Sequence, residues 1–456
     1  MEENDQIELH LVNNPLSVID EKPELTTLVA ATKMQNSNES NLSNKILSKL
    51  SKGYTFYTVI KVISYSINET SFLLPYCLRR LGIIPFFIFL ILISLSSVYS
   101  FYLVIDIIVK HNLFNNYHKI VQEKSNRVYC IIYYIINIIY HIVILILEDY
   151  LYLSLCEQIL CFFGIDIDKI LYKKIIILLV SIIMIEFPLS FAKLFYRPDT
   201  LYIIITILNI ILNIIALIIV FLNRNNEDDI KLIKINLFEG ISKDYLTCYS
   251  IIMTVMGWQN QISKQLQNFK IKTFRRFYRV IYLFFIVENI LIIFICFVST
   301  PLISDNADII IFLLDRKNIN LTHTLIIQIM TIIFGLVFHV IIAHHMQLLQ
   351  ENLFLILSLT IYKDKRDNFK INKFLSISFN LFILLLTNVI SLLIKDITLI
   401  LILYGGILTT INNYLIPSIM YWMLVSKNSF VILLSWLIDF VIIAIGISAF
   451  ILRIFL

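Results

Sequence analysis

Apolar residues along this chain neither alternate nor stripe a single helix face. They come in runs of about 20, the length at which an α-helix crosses a hydrocarbon core. Eleven such runs follow one another, predicted at roughly Tyr54–Cys77, Ile83–Val109, Val128–Leu153, Leu171–Phe187, Leu201–Leu222, Leu246–Leu266, Phe277–Val298, Leu321–Met346, Phe374–Ile394, Ile397–Met423 and Phe430–Leu452. Residues 1–53 are polar, lack the basic-then-apolar order of a cleaved signal peptide, and read as a disordered tail. The expected architecture is an all-α integral membrane protein. Residues 54–222 and 246–426 carry five helices each, 223–245 form an external loop, and 427–456 hold the eleventh helix.

Composition narrows the class. With 59% hydrophobic and 15% charged residues, a soluble globular domain is excluded. The net charge of +5 is spread over loops without the basic and aromatic interleaving that tracks nucleic acid, so no nucleic-acid partner is expected. Lys and Arg concentrate in connections 2/3, 4/5, 6/7, 8/9 and 10/11, most clearly over Lys264–Arg279, which places the N-terminal tail in the cytoplasm. The six cysteines show no metal-ligand spacing. His339, His344 and His345 superficially resemble a histidine box, but the eight histidines are too few and too scattered to supply a di-iron centre, and the cluster reads as a polar helix end facing the cytoplasm. No nucleophile motif is present, so neither a cofactor nor an enzymatic activity is expected, and an integral-membrane enzyme is the weaker alternative.

Two interruptions carry the chemistry. Span 1 is broken by Ser66–Ser71, followed by Leu74-Pro75-Tyr76; span 6, five spans later, is broken by Gly257-Trp258-Gln259-Asn260-Gln261. Irregular backbone at membrane depth survives only where protein or a wet cavity surrounds it. Matched breaks in two halves point to an inverted-repeat transporter, with a pair of polar kinks as the plainer reading. Polar stripes at helical spacing extend the pathway: Thr206, Asn209 and Asn213; Gln328, Thr331, Gly335 and His339; Asn137, Tyr140 and His141; Thr409, Thr410, Asn412 and Asn413.

Four stretches, NETSFLLPYCLRRL (68–81), ILEDYL (146–151), FPLSFA (187–192) and YGGILTTINNYLIPSIMYWML (404–424), resemble the amino acid/auxin permease family, within the wider amino acid, polyamine and organocation transporters. The resemblance implies a 5+5 inverted-repeat fold of the LeuT type plus an eleventh helix, and alternating access around the two breaks. It implies an amino acid substrate held by Asn68, Glu69, Thr70 and Ser71 at the first break and around Met256, Gly257, Trp258 and Asn260 at the second; Ser66 and Tyr140, read from the polar pattern, are expected to line the same cavity. Coupling to H+ or Na+ would involve Glu69, Lys61, Asn209, Thr331 and His339. The chain departs from the family at its first break, where Asn68-Glu69-Thr70 replaces Gly-x-Gly. Glu69 could titrate, pair with a substrate ammonium, or cap the following half-helix. Lys61 discourages sodium and favours proton coupling or facilitated exchange, unless it snorkels to the cytoplasm. A facilitative exchanger and a transporter-like nutrient sensor are the alternatives, in a plasma membrane or a vacuolar or lysosome-like membrane.

Overall fold

A computed structural model describes residues 58–60, 62–63, 73–111, 117–162, 171–188, 236–239, 244–257, 259, 274–300, 321–361, 373–394, 396–425 and 430–455, with six positions between 207 and 218. Among them every regular element is a helix: α1 (Leu74–Leu81), α2 (Ile83–Lys110), α3 (Tyr117–Lys124), α4 (Arg127–Phe162), α5 (Leu171–Ser181, continued by a π-helical turn Ile182–Glu186), α6 (Asp244–Met256), α7 (Phe274–Ser299), α8 (Leu321–Ile361), α9 (Lys373–Leu393), α10 (Ile397–Leu424) and α11 (Phe430–Phe455). In α8 the side chains before His339, and that of Val340, lie outside the description.

Six of these helices, α2, α4, α7, α9, α10 and α11, are long and apolar enough to cross a membrane. Their outward faces carry large apolar side chains such as Ile88, Leu92, Ile132, Ile139, Ile286, Leu433 and Phe440, the surface that lipid covers and water would not. The chain is a helical multi-pass membrane protein.

Two apolar cores divide the helices. The larger draws on α1, α2, α6, α7 and α10 and one face of α4. The smaller joins α4, α5, α8 and α9 through Leu145, Ile182, Ile342, Met346, Leu349, Ile383 and Leu384.

Named contacts fix helix directions. α4 and α8 run antiparallel, because the Arg127 guanidinium donates to Thr360 O at one end, His141 meets His345 further along, and the Tyr152 ring packs on His339 beyond that. α2 and α7 are antiparallel, with Phe87 near Phe297 and Tyr102 near Tyr278. α1 and α6 are antiparallel, with Arg80 3.9 Å from Asp244 and Cys77 against Cys248. α2 and α10 run parallel, since Ser97 meets Tyr414 and Asp106 meets Tyr421. α6 is parallel to α2, with Phe89 beside Tyr245 and Ser97 beside Met256.

Gly82 makes the sharp corner between α1 and α2. Its φ of 82° with ψ of 172° is open to glycine alone, and a Cβ there would stand 2.9 Å from the Phe238 backbone. The segment 236–239 lies alongside it. The first two N–H groups of α2, from Ile83 and Ile84, donate to Asn236 O and Leu237 O, so donors left over at the helix start are satisfied.

Boundaries differ from expectation mainly in length. α4 and α8 run past their predicted ends to Phe162 and Ile361, and at about 1.5 Å per residue the 41 residues of α8 extend some 60 Å. Polar residues beyond an apolar run do not stop a helix that continues to pack on a neighbour. For the fifth run, Ile207, Ile210, Ile211, Ile214, Ile215 and Ile218 are helical.

Candidate functional site

The second predicted break falls where α6 stops. Its last helical residue is Met256, and the Gly257 N–H turns to Thr254 O at 3.3 Å, a tighter closure than the helical one. Space dictates the glycine: a Cβ would meet Thr409 Cγ2 at 2.3 Å and Asn413 Nδ2 at 3.0 Å.

A helix that ends inside a bundle leaves carbonyls needing donors. Here side chains of two neighbours supply them. Ser97 Oγ on α2 donates to Met256 O at 3.1 Å, and Asn413 Nδ2 on α10 donates to Gly257 O at 2.8 Å. With its one proton so used, Ser97 Oγ accepts from the Tyr414 hydroxyl, 2.5 Å away. Ser100 Oγ donates to Asn413 O, and Ser94 Oγ to Asn289 Oδ1 on α7 at 3.1 Å.

α10 can meet these partners because it is π-wound over Ile402–Thr409 and Ile411–Leu415, a geometry that disturbs the regular ladder and recurs at functional sites. Two buried groups here are under-satisfied among the described residues: the Thr409 hydroxyl makes no hydrogen bond, and the Gln259 amide makes none of good geometry, its nearby polar neighbour being Tyr414. Burying such a group without a partner costs about 1–3 kcal/mol.

On the other side of α10, Tyr140 OH and Tyr404 OH lie 3.2 Å apart and Asn412 Nδ2 donates to Asn137 Oδ1, tying α4 to the same seam. A second polar cluster sits among α4, α5, α8 and α9. There His339 Nδ1 is 3.2 Å from Glu186 Oε1, which accepts a hydrogen bond from Ser181 Oγ. His141 and His345 share a hydrogen bond of 3.1 Å between their Nδ1 atoms, so one is the donor tautomer and the other the acceptor.

Of the expected site residues, Met256 and Gly257 stand at the end of α6, Tyr140 on the α4–α10 seam, and His339 in the second cluster. Thr331 is a helical position of α8 whose side chain is outside the description. Lys61, Ser66, Asn68, Glu69, Thr70, Ser71, Asn209, Trp258 and Asn260 lie outside the described residues. His339 and His345 are buried, where a polar helix end facing the cytoplasm was expected; the correction follows from α8 continuing to Ile361, which leaves them in mid-helix against α4 and α5.

Sequence reasoning passed over Ser94, Ser97 and Ser100. Their three-residue spacing on an otherwise apolar helix was the available signal. No protein-family model matches the chain, and no curated protein matches it.

Proposed function

We propose that this chain is a secondary transporter moving amino acids across a membrane by alternating access, with substrate held where helices 1 and 6 are interrupted and with proton coupling. The observation that carries the reading is the end of α6: a helix terminus in the middle of a bundle, its last carbonyls held by Ser97 and Asn413 from two other helices, with the Gln259 amide and Thr409 hydroxyl still open. Half-helix ends of this kind are where inverted-repeat transporters coordinate solute and ion.

The pairing of helices lends support. Numbered as spans, α1 and α6 are 1 and 6, α2 and α7 are 2 and 7, α4 and α8 are 3 and 8, and α5 and α9 are 4 and 9. Each of these pairs packs together. A 5+5 repeat asks for that offset of five. The directions agree as well: α2 and α6 are parallel, which takes an odd number of crossings between them, and α4, α5 and the run at 201–222 provide three. The amino acid class rests on the four stretches that resemble the permeases; the longest of them, 404–424, is the part of α10 that meets the α6 terminus.

The test is uptake of a mixture of labelled amino acids into proteoliposomes holding the purified chain, with an imposed pH or sodium gradient. Accumulation driven by an inward proton gradient is expected. If no amino acid moves under either gradient, the reading fails.

A further inference from the structure

We propose that Asp149, Glu186 and His339 form a proton-binding site enclosed by α4, α5, α8 and α9, separate from the α6 terminus. It deepens the transport reading, on which its role in coupling rests, while proton binding itself is a property of the chain alone.

The three side chains come from three helices and are sealed from solvent: Asp149 is 1% exposed, Glu186 0% and His339 1%. His339 Nδ1 and Glu186 Oε1 stand at ion-pair distance, 3.2 Å, yet the ring nitrogen is not aligned for a hydrogen bond. Glu186 Oε2 and both oxygens of Asp149 accept none. Thr387 is near Asp149, but its hydroxyl donates to Leu384 O. So the site holds two carboxyl groups and an imidazole, with three carboxyl oxygens lacking a donor.

A carboxylate buried with neither donor nor counter-cation is tolerated only if it takes up a proton or acquires a partner. Among the described residues the surroundings offer no fixed cation. α9, the fourth wall, carries no charged residue between Phe374 and Leu393 and presents Asn380, Thr387 and Asn388. α4 adds Tyr152, whose ring centroid is 4.1 Å from that of His339, with Cys156 beyond it and Glu148 next to Asp149 in sequence. α5 adds Ser181, and on α8 the next titratable side chains are His344 and His345, the latter engaged with His141. Among the described residues His339 is the basic side chain that stands beside Glu186. A proton taken up by the cluster would give the unpartnered oxygens of Asp149 and Glu186 the partner they lack.

The wall that would respond is already irregular. Glu186 closes the π-helical turn Ile182–Glu186, a local widening that can be gained or lost by a one-residue shift in hydrogen bonding. α8 carries His339 and packs along α4 for most of the membrane thickness, so a change at the cluster reaches the α4–α10 seam through Tyr140 and Tyr404.

The experiment is infrared difference spectroscopy on the purified full chain between alkaline and acidic buffer, in H2O and D2O. A deuterium-sensitive protonated-carboxyl band that grows on acidification is expected, with one component missing in Asp149→Asn. In Glu186→Gln and His339→Gln the midpoint of the remaining component should move by about one pH unit or more. Helix content by circular dichroism, unchanged in all three variants, reports that the fold is intact. A wild-type chain with no titrating carboxyl band overturns the proposal without recourse to variants, as does a band unchanged in all three. If the band behaves as expected while no amino acid is transported, the proton site stands and the transport reading falls.

Discussion

Ser97 satisfies two helices with one hydroxyl. It donates to the last helical carbonyl of α6 and accepts from Tyr414 of α10. Ser97→Ala leaves both partners buried and short of a bond, and we expect a loss of about 1–3 kcal/mol, read as a lowered unfolding temperature in detergent. A variant as stable as the wild type would mean that the α6 terminus finds its partners elsewhere. Asp396 works at the surface in the opposite way. Its carboxylate accepts from the Thr398 N–H and hydroxyl at the start of α10 and from Arg453 of α11 at 2.6–2.8 Å. Partial burial opposes its ionisation, but the Thr398 and Arg453 hydrogen bonds outweigh that and hold its carboxyl below the usual range. A depressed carboxyl contributes stability above its unfolded value of about 3.9, and that contribution is lost as pH falls through the lower folded value. With the Asp396 side chain 43% exposed, solvent screening keeps it to about 1 kcal/mol or less. Asp396→Asn should therefore unfold slightly earlier than the wild type near pH 7 and coincide with it in strong acid. A gap that persists in acid would assign the difference to packing.

At the scale of elements, α10 is the most buried of the six recognised spans and α11 the least. α10 holds that central place because it lacks side chains where neighbours approach. A Cβ on Gly405 would meet Ser250 O of α6 at 2.0 Å, and one on Gly446 of α11 would meet Gly406 O at 2.0 Å. Small residues of this kind let membrane helices pack backbone to backbone, where there is no hydrophobic driving force between them. We expect Gly446→Ala to push α11 off α10 at a cost of about 1–3 kcal/mol, lowering the unfolding temperature. Gly405→Ala, which would force α6 as well, should also abolish uptake, whereas Gly446→Ala should retain it. Uptake intact in Gly405→Ala would separate the α6–α10 contact from function. Where α6 stops could be read from Gly257 and the amides after it. The π winding of α10 could not, since Tyr404 to Leu415 reads as an ordinary apolar helix with polar insertions and only the demands of α2, α4 and α6 make the widened turns favourable.

For the whole molecule, helix directions place successive connections on opposite faces, and the charge of the connections makes the Asn126 side the expected cytoplasmic one. Asn126 and Phe238 are exposed and lie in connections of opposite parity. With Asn126→Cys and Phe238→Cys, a membrane-impermeant thiol reagent should label the first only from the cytoplasmic face and the second only from the opposite face. Cys77, Cys130, Cys248 and Cys296 are buried and should give little background. Labelling of both from one side would break the order of crossings on which the proposed repeat depends. The two apolar cores, one among α1, α2, α6, α7, α10 and one face of α4 and the other joining α4, α5, α8 and α9, are a property of this scale alone.

The sequence by itself determined that the chain is a multi-pass membrane protein, where most of its long described helices begin, and that α6 stops at Gly257, because hydrocarbon thickness and unpaired backbone impose those patterns on any chain; the short helix α3 left no such mark. It also singled out His339 and Tyr140 as polar groups in apolar surroundings. What only the tertiary structure decided is which polar groups meet. Asp149, Glu186 and His339 stand far apart in sequence at separate predicted span ends, and the spacing of Ser94, Ser97 and Ser100 marks a polar face without saying whether each serine bonds its own helix or a neighbour. Both gain meaning from the registers of α4 on α8 and of α2 on α6 and α10, and register is set by close packing between helices, which no single run of apolar residues encodes.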